Sequence, residues 1–189
     1  KTEIISGVTT VYAYTYDDAG RPETVLENSI LTESYEYDPN GNRTDSTNAD
    51  GTFLGTYDDQ DRIVAYGDIS YTFTANGELA SKTDASTGDT TTYEYDSMGN
   101  LREVVLPNTD VIEYLVDGLG RRVGKKVNGT LVKQWVWRGQ LQPVAELNGS
   151  GTVLARYVYA GGINVPALIL TSSATYKVIL DHLGSVRMV

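Results

Sequence analysis

The stretch Tyr93–Val105 (YEYDSMGNLREVV) decides the fold that this sequence predicts. Tyr93 and Tyr95 alternate with polar residues, which is the pattern of a half-buried β-strand. We expect the carboxylate of Asp96 to accept backbone N–H groups two or three residues further on, and Gly99 can adopt the positive φ that closes such a turn. Aliphatic residues follow in a second strand. The stretch therefore predicts a β-hairpin of the form strand, Tyr-Asp-x-x-Gly, strand.

The same motif recurs along the chain at nearly constant spacing. An aromatic or apolar residue precedes each turn at positions 16, 37, 57, 73, 95 and 116, so successive copies are 21, 20, 16, 22 and 21 residues apart. A fixed period of about 20 residues is typical of repeat proteins, and two short strands with two turns fill it. Each repeat is therefore about one hairpin. The residues that we expect to form these structural turns are Tyr16, Asp17, Gly20, Tyr37, Asp38, Gly41, Tyr57, Asp58, Tyr95, Asp96, Gly99, Asp117 and Gly120.

After Arg121 the pattern changes, although it still indicates strands. Asn128-Gly129 separates strand-like segments at 122–127 and 130–137 and favours a two-residue type I′ turn. A four-residue loop at 148–151 separates the next two strands.

The last predicted hairpin pairs 165–171 with 175–180, after a break at Ala160–Gly162. No segment holds a helical period with capping residues. We therefore predict an all-β fold, an antiparallel β-hairpin repeat ribbon in a single continuous domain. Repeat hairpins would occupy 1–126 and a further β-rich segment 127–189.

Composition excludes several classes of partner. The formal net charge is −10, which argues against nucleic acids and anionic membranes, because both select clustered Lys and Arg. The chain has no Cys, and therefore no disulfide framework or thiolate chemistry. No apolar run approaches the roughly 18 residues of a membrane span. The chain begins at Lys1 without Met, so we expect a processed or subcloned fragment.

These motifs resemble the YD-repeat, or Rhs-repeat, family, whose unit is Tyr-Asp-x-x-Gly followed by Arg or Asn. The closing segment resembles the start of the family's Rhs-associated core, and 141–159 is similar to what precedes that core. The core-segment residues are Asp181, His182, Leu183, Gly184, Ser185, Val186 and Arg187.

The resemblance implies that the ribbon curls as part of a hollow YD-repeat shell, and that 127–189 leads into the core. Such shells occur in bacterial polymorphic toxins, insecticidal toxin complexes and animal teneurins. In the bacterial members the shell encloses a C-terminal toxin, which an aspartyl autoprotease releases through a motif downstream of the core. The sequence ends at Val189, before that motif, so no autoproteolytic residue is assigned.

The acidic residues admit other interpretations. The Tyr-Asp carboxylates could form a calcium ladder, but each lies where an Asx-turn needs it, so turn capping is favoured. Only Asp58-Asp59-Gln60-Asp61 comes near a calcium loop, and it lacks the glycine. Nothing in the spacing selects a carboxylate pair for glycoside hydrolysis. We therefore predict no cofactor and no catalytic residue.

Two other groups of residues suggest sites. Asp181, His182 and Ser185 contain the residue types of a catalytic triad, but neighbouring residues on a strand point to opposite faces, so a structural role is favoured. Three segments match the N-glycosylation sequon, at 42–44, 128–130 and 148–150, and the last two are better explained as turn residues.

The aromatic residues support a rival function. Trp135 and Trp137 share one face of their strand and, if exposed, could stack on sugar rings or a protein partner. If buried, they are core residues, which is the favoured interpretation.

The leading hypothesis is a non-catalytic scaffold in a secreted or cell-surface bacterial shell that encapsulates or presents a C-terminal effector. A carbohydrate- or cell-surface-binding module is the alternative, and a glycan-degrading enzyme the third class. Unpaired strand edges also make self-association a plausible property.

Overall fold

The structure is a computed structural model that describes residues 1–5, 7–160 and 164–189. Its regular secondary structure consists of β-strands, and the described ranges contain no helix. The prediction of an all-β fold is therefore confirmed. The chain divides into two compact units, Lys1–Thr90 and Thr91–Val189.

In the first unit, each strand pairs antiparallel with its neighbours in the sequence. Because every connection joins adjacent strands, the unit is a ribbon of consecutive hairpins. Its strands are β1 (Thr2–Ile5), β2 (Val8–Tyr16), β3 (Pro22–Glu27), β4 (Ile30–Tyr37), β5 (Arg43–Asn48), β6 (Gly51–Tyr57), β7 (Ile63–Tyr66), β8 (Ile69–Phe73) and β9 (Leu79–Asp84).

The second unit has the same antiparallel order from β10 to β18, and β19 and β20 form a separate pair. Its strands are β10 (Thr90–Tyr95), β11 (Leu101–Val105), β12 (Val111–Val116), β13 (Arg122–Val127), β14 (Thr130–Arg138), β15 (Gln142–Asn148), β16 (Val153–Val158), β17 (Leu168–Thr171), β18 (Thr175–Lys177), β19 (Ile179–Leu180) and β20 (Val186–Met188). The predicted antiparallel hairpin pattern is thus confirmed in this unit as well.

The strands of the last hairpin are shorter than the predicted segments 165–171 and 175–180. Strand β17 begins only at Leu168, because Pro166 has no N–H to donate to a ladder. Strand β18 ends at Lys177, and Ile179 and Leu180 pair with a different strand, β20. The predicted break at Ala160–Gly162 includes Gly161 and Gly162, which lie outside the described residues. The predicted division at residue 126 stays a prediction.

The ribbon is thin. Among the described residues, only Ser46, Gly55, Val104, Gly124 and Ala155 are buried. Adjacent residues of a strand point to opposite faces of the sheet. In β2 the ring of Tyr14 therefore lies on one face, and the hydroxyl of Thr15 lies on the other, where it forms a hydrogen bond with the hydroxyl of Thr24 on β3. Stability therefore rests on cross-strand contacts between half-buried side chains and not on a central core. Within the described part of the chain, no helix has the length and hydropathy that a membrane crossing requires.

Candidate functional site

The turn at Asp96 shows how the repeat is built. The backbone N–H of Asp96 donates to the carbonyl of Asn100, and the N–H of Gly99 donates back to the carbonyl of Asp96, both at 3.0 Å. The carboxylate Oδ1 accepts the N–H groups of Met98 and Asn100, also at 3.0 Å. Gly99 has a φ of 76°, which glycine adopts without steric cost.

Other turns that begin with Asp repeat this geometry. In each, Oδ1 accepts the backbone N–H of the residue four positions later, at 2.8–3.0 Å. Hydrogen bonds from that residue are the main cause that lowers the pKa of each carboxyl, including that of Asp96. The first residues of these other turns are Asp17, Asp38, Asp58 and Asp117. The carboxylates are therefore occupied by their own turns.

The same backbone turn occurs where the sequence motif is eroded or absent. Asn148 replaces Asp and accepts the N–H groups of Ser150 and Thr152 at 3.1 and 2.9 Å. Thr74 uses its hydroxyl, and in the turn that begins at Leu106 the Oδ1 of Asn108 accepts the N–H of Asp110 at 3.1 Å. The sequence motif does not reveal the turn at Leu106, because the backbone bonds define the turn and the type and position of the supporting side chain vary.

The core segment also contains this turn. Asp181 donates its N–H to the carbonyl of Ser185, and its Oδ1 accepts the N–H groups of Leu183 and Ser185 at 2.9 and 3.0 Å. Gly184 has a φ of 84°. The Asp181 carboxylate thus binds backbone N–H groups; His182 and Arg187 add electrostatic attraction that lowers its pKa further, after the Ser185 hydrogen bond. The residues Asp181–Ser185 form a structural turn, and Val186 and Arg187 belong to the strand β20 that follows it.

A second contact links several repeats to the one before them. The hydroxyl of Tyr37 donates to the carbonyl of Pro22 at 2.8 Å, and that of Tyr57 donates to the carbonyl of Arg43 at 2.9 Å. In the second unit, Tyr159 makes the corresponding bond to Pro143 at 2.9 Å. The aromatic residue that precedes a turn therefore satisfies a backbone acceptor of the preceding repeat.

Strand register shows that the repeat extends further than the sequence motif. A shift of the ladder by one residue, which marks a β-bulge, recurs about every 20 residues along the chain, just before a turn. The residues that follow the shift are Tyr16, Tyr37, Tyr57, Phe73, Tyr95, Val116, Trp137 and Leu180. Tyr159 lies between the last two, 22 and 21 residues from them. The period therefore continues after Arg121.

Arginine at the end of the motif connects successive turns. Arg21 forms an ion pair with Asp17 of its own turn at 2.7 Å. Its guanidinium also lies 4.5 Å from the ring centre of Tyr37 and donates to the carbonyl of Asp38 at 3.2 Å. One side chain thus contacts its own turn and both motif residues of the next turn.

Two more arginines repeat this connection. Arg62 pairs with Asp58 at 2.7 Å and lies 4.8 Å from the ring centre of Phe73, the aromatic residue of the next repeat. Arg121 pairs with the carboxylate of its own turn at 2.6 Å and donates to the carbonyl of Gly139 at 2.8 Å. The arginines are therefore part of the repeat framework.

Both candidate tryptophans are half-buried beside a concave pocket of about 670 Å³ in the second unit. The indole N–H of Trp137 donates to the carbonyl of Arg122, whereas that of Trp135 has no hydrogen-bond acceptor among the described residues. The guanidinium of Arg122 lies 3.6 Å from the ring centre of Tyr114. The pocket is lined by Gly99, Asn100, Leu101, Val116, Gly120, Arg121, Arg122, Trp135, Trp137, Gln140, Leu141 and Pro143. It combines ring faces with polar donors, as ligand sites do.

The acidic turns do not converge on a cation. Across residues 1–5, 7–160 and 164–189, no group of three or more His, Cys, Asp or Glu side chains could hold a metal ion. In the segment that comes nearest to a calcium loop, Asp58 binds its own turn and Asp61 accepts the amides of Asn40 and Asn42 at 2.9 and 2.7 Å. Asp61 has a φ of 58° and takes the place that glycine holds elsewhere.

Comparison with known proteins identifies relatives over most of the sequence. Human (Homo sapiens) teneurin-4 is 30% identical over 183 residues, which is 94% of this chain and 6% of that protein. Mouse (Mus musculus) teneurin-3 is 38% identical over 124 residues, which is 64% of this chain and 4% of that protein. The chain thus spans only a small fraction of the curated relatives that it matches.

Solved structures with weaker similarity come from Tc toxins. The Photorhabdus luminescens Tc holotoxin pore covers 95% of this chain at 12% identity and a TM-score of 0.37, and the match covers 14% of that chain. A TcdB2–TccC3 structure covers 98% of this chain at 12% identity and a TM-score of 0.35, again over 14% of its own length. The model of the Teneurin YD-shell family matches residues 1–189, and the chain therefore belongs to that family.

Proposed function

We propose that this chain is a non-catalytic wall segment of a YD shell. The observation that carries the proposal is the hydrogen bond by which the aromatic side chain of one repeat satisfies a carbonyl of the repeat before it, as Tyr37 does for Pro22. Such contacts make each repeat a structural support of its neighbour, as nearest-neighbour coupling does in other repeat proteins.

The state of the carboxylates supports the non-catalytic part of the proposal. A general acid or nucleophile must be free to exchange protons or attack, whereas Asp17, Asp58 and Asp117 are each held by a backbone N–H and an arginine. Lowered pKa values keep these groups ionised and bound in place. In this proposal the turn residues have a structural role, which is to fix the conformation of the turn, and no catalytic role.

The partner that we propose is a C-terminal effector of the parent chain, enclosed or presented by the shell outside the cell or at its surface. The core segment Asp181–Arg187, which resembles the end of such shells, motivates this proposal. Nothing in the relatives favours the bacterial source, because teneurins from mouse, human, chicken and zebrafish are among them.

Limited proteolysis of the full parent protein across a urea series tests enclosure. If the shell encloses another part of the chain, that part becomes cleavable only at the urea concentration at which residues 1–189 unfold. Cleavage of the rest of the chain at native conditions, with residues 1–189 intact, would rule out enclosure.

Carbohydrate binding at the tryptophan pocket is a second candidate function. It is favoured by the half-buried Trp135, whose indole N–H is unpartnered within the described residues, beside Arg122 in a concave surface. A glycan array with the purified chain tests it: saturable binding should disappear in Trp135→Ala. Absence of any binding, or binding that Trp135→Ala leaves intact, would reject the pocket as a glycan site.

A further inference from the structure

Two of the three glycosylation sequons have their amide nitrogen already bonded. The Nδ2 of Asn42 donates to Asp38 at 3.0 Å and to Asp61 at 2.7 Å. The Nδ2 of Asn128 donates to Asp110 at 2.8 Å, while its Oδ1 accepts the backbone N–H of Val111 at 2.8 Å. A sugar on either nitrogen would displace a hydrogen bond to a carboxylate, which is among the stronger hydrogen bonds in proteins.

The third sequon, Asn148-Gly149-Ser150, is different. The Oδ1 of Asn148 accepts hydrogen bonds from the N–H and the hydroxyl of Ser150, at 3.1 and 2.8 Å, and from the N–H of Thr152 at 2.9 Å. Its Nδ2 donates to no acceptor among the described residues. Asn148 is half-buried and Ser150 is exposed. The Oδ1 of Asn148 thus stabilises the turn, whereas its Nδ2 has no hydrogen-bond partner among the described residues.

The residue four positions later explains this freedom. In the turns that begin at Asp17, Asp38, Asp58, Asp96 and Asp117, that position holds an arginine or asparagine, and its side chain binds the second carboxylate oxygen. In this turn the position is Thr152, whose hydroxyl reaches only Ser150, at 3.4 Å. The Nδ2 of Asn148 therefore makes no hydrogen bond on which the turn depends within the described residues. Attachment of a sugar to this nitrogen leaves the hydrogen bonds of the turn intact.

We propose that Asn148 is an N-glycosylation site, an inference that rests on the proposed extracellular or surface location. In the reaction, the Asn148 Nδ2 forms a bond to the anomeric carbon of an oligosaccharide carried on a diphosphate-linked lipid. The bond from that carbon to the diphosphate oxygen breaks, the diphospholipid leaves, and one amide proton passes to a base of the transferase. The sugar is transferred while the chain is still emerging and unfolded. A chain that carries a sugar at a position where the fold needs the Asn Nδ2 therefore cannot reach the native state, whereas a chain modified at Asn148 can.

Expression of residues 1–189 through the secretory pathway of a eukaryotic host tests the site. We expect the secreted chain to carry one glycan that peptide-N-glycosidase removes, converting Asn148 to Asp. Two variants should abolish it: Asn148→Asp keeps the Oδ1 acceptor on which the turn depends, and Ser150→Ala keeps the asparagine. Asn128→Asp should leave the glycan in place.

The eukaryotic host supplies the lipid-linked oligosaccharide and the transferase. The experiment therefore tests whether Asn148 can be glycosylated, independently of whether the protein is naturally extracellular. A folded, secreted chain that is unmodified at Asn148 would overturn the proposal. A glycan on Asn42 in folded chains would overturn it as well, because the bonds to Asp38 and Asp61 would then not protect that nitrogen. Circular dichroism of the secreted chain establishes that it is folded.

Discussion

The indole N–H of Trp137 donates a 2.8 Å hydrogen bond to the carbonyl of Arg122. Tyr37 makes the same kind of contact with Pro22, with its hydroxyl in place of the indole. In both cases the donor lies directly after the bulge, and the acceptor is the residue that pairs with the corresponding residue of the preceding repeat, Val116 for Arg122 and Tyr16 for Pro22. Trp137 is therefore a repeat residue in which tryptophan performs the task of tyrosine.

Replacement of Trp137 by Phe should measure this contact. The substitution keeps an aromatic ring and removes the donor, so we expect the free energy of unfolding to fall by about 1 kcal/mol. Urea unfolding followed by circular dichroism gives the value. Trp135→Phe is the matched control, because its indole N–H has no acceptor in the described part of the chain. If both variants lost the same free energy of unfolding, the loss would come from the smaller ring and not from the missing hydrogen bond.

Gly41 and Gly118 provide a test of turn conformation. A Cβ on Gly41 would meet only Arg21, at an ordinary 3.6 Å, and one on Gly118 would meet nothing within 4 Å, but Gly41 alone has a positive φ, of 95°. We expect Gly41→Ala to lower the unfolding free energy by about 1 kcal/mol through backbone strain. Gly118→Ala should stay within about 0.5 kcal/mol of the parent. Similar melting temperatures for both variants would contradict the turn assignment.

The turn carboxylates predict acid sensitivity. Hydrogen bonds lower the pKa of Asp96 in the folded chain below its ordinary value of 3.8, first those from the backbone and side chain of Asn100. The unfolded chain therefore binds protons more readily, so the stabilisation is complete above pH 3.8 and is lost as the pH falls through the folded pKa. We expect the urea midpoint to decrease in this range.

Asp96→Asn identifies the contribution of one turn. Asparagine forms the same turn at position 148 and does not titrate, so the variant should lose less stability between neutral and acidic pH than the parent. An unchanged pH dependence would mean that this carboxyl does not contribute to the acid transition.

Three glutamates oppose one another on adjacent strands of the second unit. Glu94 pairs with Glu103, and Glu103 pairs with Glu113, which also contacts Lys126 at 3.5 Å. Like charges directly opposite one another destabilise a sheet, so Glu103→Lys should raise the unfolding free energy by about 0.5 kcal/mol. The gain should shrink at high salt, where surface charges are screened. A destabilised variant at low salt would contradict this prediction.

The sequence predicted the hairpins well where the side chains of the motif are present. Alternation of Tyr93 and Tyr95 indicated the strand, and Asp96 with Gly99 indicated the turn, because these residues encode local geometry. The motif does not reveal the turn at Leu106, because its supporting side chain is that of Asn108, inside the turn, and not an Asp at its first position.

Contacts between repeats could not be read from the sequence. The acceptors of the aromatic donors are backbone carbonyls, which every residue possesses, so Arg122 and Pro22 carry no distinguishing signal. The bulge that aligns donor and acceptor is likewise a property of strand register. For this reason the sequence left a ligand-facing role for Trp137 open beside the favoured core role, and it did not indicate that the indole N–H binds the carbonyl of Arg122.

The bond from a later aromatic to an earlier carbonyl has a direction along the chain. During synthesis, the carbonyl of Pro22 emerges from the ribosome before Tyr37 and remains bonded to water until that tyrosine arrives. A repeat that makes this bond is therefore completed by its successor, and for such repeats the order of translation is also the order of assembly. A nascent chain halted between Pro22 and Tyr37 keeps the earlier repeat incomplete, which makes its growing end the vulnerable one.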